Sequence, residues 1–194
     1  MVYFIVKGGV MMIPLILASV LGLAIILERY FVIRRFGSFG MEAFSEAVCR
    51  KILLNKFDEA LNLCRQNSGH PLSSMFTAAL ENRDLPRPEL EKMMERLGNH
   101  AVHHLEKRLG GLASIVGIAP LLGFLGTITG LIRAFMAWEK AGSDITVSIL
   151  AAGIYEAMIT TAAGLIVAIP FYLCYNYFIS RIKYLAHEVV DYAG

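Results

Sequence analysis

Thr127 and Thr161 each sit in a track of small residues inside a long apolar stretch, and this pairing constrains the chain more than any other feature. The first stretch runs from Gly110 to Ile132 and contains APLLGFLGTITGLI. The second runs from Ile145 to Ser180 and contains GIYEAMITTAAGLIVAIP. Either could cross a bilayer, which takes about 20 apolar residues. On a helix turning about 100° per residue, Pro120, Gly123, Thr127, Gly130 and Ala134 fall within roughly 80° of one another, as do Gly153, Ala157, Thr161, Gly164 and Ala168. A helix that met only lipid would have no need of such a track. Small residues let helices approach closely, and hydroxyls inside a membrane bond a partner helix or line a polar path. The pattern therefore predicts a packed all-α membrane bundle in which Thr127 and Thr161 face something polar.

Composition agrees. The chain is 56% hydrophobic with a mean hydropathy of +0.57. Its charged fraction is 18%, below the usual share of about 25% in soluble domains. A formal charge of +2 without a basic block gives no footprint for nucleic acid. Cys49, Cys64 and Cys174 are odd in number and lack CxxC spacing, so they read as free thiols facing a reducing compartment.

A third apolar run, from Gly8 to Leu27, precedes Glu28-Arg29-Tyr30. A signal peptide would carry its positive charge ahead of the apolar run, whereas here only Lys7 precedes it and Arg29, Arg34 and Arg35 follow. The run is read as a retained helix, with Pro14 as a possible kink. Basic residues also cluster just before the second span (Lys107, Arg108) and after the third (Arg181, Lys183). By the positive-inside rule the N-terminus is external and the C-terminus cytoplasmic. The resulting division is a first span at 8–27, a cytoplasmic helical region at 28–108, a second span at 110–136, an external loop at 137–147, a third span at 148–180 and a tail at 181–194. Trp138 falls in the loop, at the level of an interfacial aromatic belt.

Within the cytoplasmic region, FSEAVCRKILL, FDEALNLCRQ and LSSMFTAALE carry helical spacing, separated by breaks at Asn67–Pro71 and Asp84–Pro88. After Pro88, the stripe Leu90, Met93, Met94, Leu97, Ala101, His104 and Leu105 leads directly into the second span. This predicts one helix from about Pro88 to about Met136. The third span is expected to stay helical past the bilayer, towards Val190.

Few residues could carry chemistry. Glu156 is the one acid in the third span, and an ionisable group there is a functional candidate by default. Thr160 lies at i+4 on nearly the same face. The alternative is that Glu156 pairs with a basic group such as Arg133. For the threonines the alternative is back-bonding to the carbonyl four residues earlier, the default for Thr129 and an option for Thr160. Threonine cannot hold a proton as a stable charge, so a titratable group must come from elsewhere. His100, His103 and His104 include one i, i+4 pair but bring no third ligand motif, so no metal is expected. GxGxxG loops and GxSxG elbows are absent, which argues against an enzyme. No cofactor is expected.

The segments LLGFLGTITGLIRAF and IYEAMITTAAGLIVAIPFYLCYN, with the three-span order and the helical cytoplasmic region, resemble the MotA/TolQ/ExbB proton-channel family, most closely its ExbB/TolQ branch. MotA itself has four spans and a larger cytoplasmic region. The resemblance implies an inner-membrane ring, typically of five copies, around single-span partners of the ExbD/TolR type whose membrane aspartate takes and releases protons. It implies that Thr127 and Thr161 are the pore threonines and that Glu156 is the family's third-span glutamate. Proton flow would then drive a TonB- or TolA-like envelope protein. This chain has no span aspartate of its own, since Asp144 is placed in the loop and Asp191 in the tail. Tyr155 and Thr160 depart from the family's small apolar residues, the tail is short, and an extended outer N-terminal region is missing. The envelope system served stays open between Ton, Tol and motility. A structural scaffold that conducts nothing is the competing class, followed by a free-standing channel or transporter, for which inverted repeats would be needed.

Overall fold

The computed structural model describes residues 8–141 and 147–193. Seven helices run through them: α1 (Met12–Gly37), α2 (Met41–Leu53), α3 (Phe57–Gln66), α4 (Pro71–Glu81), α5 (Arg87–Glu106), α6 (Leu109–Ala141) and α7 (Val147–Ala193). No strand occurs among the described residues. Three stretches, within Met12–Leu53, Arg87–Lys140 and Ala151–Val189, are long and apolar enough to cross a membrane. The all-α membrane fold is therefore as the sequence predicts.

The chain divides into two compact units. The first takes residues up to Leu27 together with Arg108–Asn176, and the second takes Glu28–Lys107 and Tyr177–Gly194. Thus α1 and α7 each supply residues to both.

In the first unit, Met12, Leu15, Ala119 and Ala168 form a buried cluster, with Leu122, Ala163 and Val167 packed against it. Large apolar side chains point outward instead, among them Leu17 at 59%, Phe124 at 61%, Met158 at 65% and Ile166 at 70% exposure. Leaving such groups in water would cost on the order of 1.5–3 kcal/mol each, so these faces suit lipid or neighbouring protein. Gly8–Met11 form a turn before α1, with Gly9 at φ +68°. The helix starts at Met12, which places Pro14 in the first turn. A proline there removes no intrahelical bond, so the expected kink has no cause.

The second unit is built on α2–α5. Here the motif boundaries match the sequence reading closely, because turn chemistry sets them. Asn55 adopts φ 56° between α2 and α3. Pro71 opens α4, and the His70 side chain accepts the Leu72 N–H at 3.3 Å as the helix cap. Its ring stacks on Phe39 at 4.1 Å and tilts against Phe36 at 4.4 Å. Burial lowers the His70 pKa to about 4, offset only in part by the Phe36 carbonyl. Cys64 is buried and Cys49 exposed, both free thiols.

Two expectations need correction. The helix predicted from Pro88 to Met136 is interrupted: α5 ends at Glu106, Lys107 turns out at ψ 135°, Arg108 adopts φ 68°, and α6 starts at Leu109. Gly110-Gly111, immediately beyond, weakens helix continuity at that point. The freed carbonyls of α5 are met by Arg29, whose Nη1 donates to His104 O and Leu105 O, both at 3.3 Å. A buried cation on those carbonyls favours a helix end there. The second correction concerns Trp138: the sequence pattern puts it in the loop at 137–147, but it lies within α6 and stacks on Phe135. Residues 142–146 of that loop, Asp144 among them, lie outside the described residues, as does Lys7. By contrast, α7 is continuous over 47 residues, about 70 Å at 1.5 Å per residue and more than twice the ~30 Å hydrocarbon core.

Candidate functional site

The site is the seam between α6 and α7 inside the first unit. Its backbone spacing is set by glycine. A methyl group on Gly123 would lie 3.1 Å from Thr160 O and 3.2 Å from Thr161 Cα. On Gly130 it would lie 3.0 Å from Gly153 O, and on Gly164 2.7 Å from Ala119 O. Gly153 meets Ala134, and Ala157 meets Gly130. The two small-residue tracks therefore face each other within one chain, and close backbone approach supplies dispersion contact where the hydrophobic effect cannot act.

Some members of the predicted tracks sit off its centre. Pro120 is half-buried, while its neighbour Ala119 is fully buried against Gly164. Ala168 belongs to the cluster with Met12 and Leu15. Gly126, which the sequence reading passed over, is essential to the seam: a methyl there would lie 2.3 Å from Thr160 Cγ2. Its signal was the GxxGxxxG run of Gly123, Gly126 and Gly130.

The seam brings Thr127 and Thr161 together. Their hydroxyls are in direct hydrogen-bond contact. Gly123 O is an acceptor within reach of either hydroxyl, 3.3 Å from Thr127 Oγ1 and 3.1 Å from Thr161 Oγ1. Both residues are half-buried. The two hydroxyl protons serve two of these three contacts at a time, one passing between the threonines and one to Gly123 O, which leaves lone pairs free to accept a hydrogen bond from an incoming donor or orient a water. The pair cannot carry charge. Thr129 bonds back to Gly126 O at 3.1 Å and takes no part in the pair.

Thr160 and Glu156 form a separate group. Thr160 is fully buried, with Glu156 O at 2.6 Å and Gly8 O at 3.2 Å as acceptors for its hydroxyl. It back-bonds to its own helix, as the alternative reading held, and also touches the turn before α1. The Glu156 carboxylate pairs with Arg133 Nη1 at 2.7 Å, the alternative weighed from sequence. The same oxygen lies against Gly9. The Gly8–Gly9 turn is a participant that the sequence reading missed; a Gly-Gly pair ahead of an apolar helix was its only signal. Among the described residues, no three His, Cys, Asp or Glu side chains cluster as metal ligands.

The chain matches the MotA/TolQ/ExbB proton channel family over residues 67–190, which take in all of α6 and nearly all of α7. The chain belongs to that family. It is 34% identical over 193 residues to an ExbB-like biopolymer transport protein of Synechocystis sp., covering 96% of this chain and 72% of the relative. It is 31% identical over 176 residues to an ExbB homolog of Methanothermobacter thermautotrophicus, covering 91% and 62%. Against the Tol-Pal system protein TolQ of Haemophilus influenzae it is 34% identical over 110 residues, covering 55% and 48%. The chain thus spans from about half to about three quarters of the length of these relatives. Their names place it in the ExbB/TolQ branch. With three apolar helices, it is a multi-pass inner-membrane protein of a proton-channel family.

Proposed function

We propose that this chain is the ring-forming subunit of an inner-membrane motor driven by the proton-motive force. Several copies, five by analogy with the family, surround a single-span ExbD/TolR-like partner. That partner supplies a membrane carboxylate, and its motion is passed to a TonB- or TolA-like envelope protein. The N-terminus is external and the C-terminus cytoplasmic in this reading. The observation that carries it is the Thr127–Thr161 hydroxyl pair in a glycine-spaced seam. Polar and uncharged, the pair suits a role of solvating another group's proton. The one carboxylate nearby, on Glu156, is already held by Arg133. A titratable group on a separate chain completes the chemistry.

Partner-dependent proton uptake into liposomes tests this. Thr127→Val/Thr161→Val keeps volume and removes both hydroxyls. An unmade hydrogen bond in a dry site costs about 1–3 kcal/mol, so flux should fall roughly five- to 150-fold. Wild-type flux in this double variant would favour a second reading, a scaffold that only assembles the partner. One observation supports that reading: the two hydroxyls already find acceptors within the chain, in Gly123 O and in each other.

A further inference from the structure

We propose that Arg133 is the positioning residue for Glu156, fixing its carboxylate between α6 and the Gly8–Gly9 turn at one end of the seam. The inference rests on the proton-conducting reading above and adds to it a residue and a geometry.

Three elements converge on this carboxylate. Arg133, on α6, meets Glu156 Oε1 at 2.7 Å from one side. Gly9 closes the other: a methyl group there would lie 1.9 Å from that same oxygen, and φ +68° already excludes most side chains. One turn along α7, buried Thr160 ties the strand of chain at Gly8 to the helix that carries Glu156. Flanking the pair, Gly130 and Ala134 interlock with Gly153 and Ala157, which sets the helix register that brings the two charges together.

The pair is asymmetric in its exposure. The Glu156 side chain is 22% exposed and that of Arg133 is 50%. A surface pair of this length would contribute little. Here the carboxylate is largely out of water, and a charge-assisted bond is correspondingly stronger. The position also matters. Thr161 lies five residues beyond Glu156, and Thr127 six before Arg133, so the carboxylate sits about one to two helical turns from the hydroxyl pair. Without Arg133, Glu156 would be free to turn outward, away from the seam. Arg133 therefore decides where this negative charge stands relative to the threonines.

The test is a double-mutant cycle on the intact ring with its single-span partner, read as partner-dependent proton uptake. Arg133→Gln should lower flux about fivefold or more in the native background and less than about twofold in a Glu156→Gln background, the signature of coupled residues. Arg133→Lys keeps the charge without the planar fork and should retain most of the flux. Hydrogen exchange of the amides of the Gly8–Met12 turn should rise in both Arg133→Gln and Glu156→Gln. Equal losses in both backgrounds, an inactive Arg133→Lys, or unchanged exchange at the turn would each overturn the proposal. So would native flux in Glu156→Gln, which leaves the threonine reading standing. Loss of the motor reading shows differently, as absence of partner-dependent flux in the unmodified protein.

Discussion

At the residue scale, glycine and threonine act as a unit. Gly123 has a double role: its missing side chain admits Thr161, and its carbonyl is an acceptor within reach of either threonine hydroxyl. Gly123→Val should therefore do more harm than loss of either hydroxyl. Its branched side chain would meet backbone atoms 3.1–3.3 Å from the first added carbon, and backbone cannot move aside cheaply. Overpacking of this kind costs about 1–3 kcal/mol or more, expected as a lower melting temperature of the detergent-solubilised protein. Thr129→Val, whose hydroxyl serves only its own helix, should leave both flux and melting temperature near native. A comparable loss from Thr129→Val would show that any hydroxyl in α6 matters, and the pair would lose its special standing.

At the element scale, the helix ends of the second unit hold the testable energy. Arg29 satisfies two carbonyls at the end of α5 from a position only 3% exposed. Arg29→Gln should cost about 1.5–3 kcal/mol, the range for bonds to a charged group, and should raise hydrogen exchange in the last turn of α5. His70 caps α4 as a neutral ring. Its folded pKa of about 4 lies below the ordinary 6.5, so the unfolded chain binds the proton first as pH falls. The stabilisation is thus complete above about pH 6.5, declines between there and pH 4, and is lost below, a change of up to ~3 kcal/mol. Thermal melts across this window should show the decline, and His70→Gln should flatten it.

At the scale of the whole molecule, the first unit presents large apolar side chains around three helices, with few polar groups among them. Among the described residues, the seam of one chain carries a half-buried hydroxyl pair. In the proposed ring, several copies bring such pairs around the partner. Native mass spectrometry from mild detergent should give a single higher oligomer, a pentamer if the family pattern holds. A stable monomer under those conditions would remove the basis for a ring and leave the seam as packing alone.

Much of the fold was legible in the sequence because the bilayer is a demanding solvent. Long apolar runs, basic flanks and small-residue periodicity are each dictated by it, and they predicted three crossing helices and the two tracks. Prolines and turn residues similarly marked the starts of α4 and α5. Local pattern could not decide which surfaces the tracks would meet. That took the tertiary structure, which sets Gly123 and Gly130 against Ala157, Thr161 and Gly164 of the same chain. It also decided the break at Arg108, where helix periodicity runs on but the α5 carbonyls are taken by Arg29, far away in sequence. The partner of Glu156 was nameable from sequence only as one option among several. Whether two charges 23 residues apart meet depends on the register of two packed helices, and glycine-spaced backbones set that register.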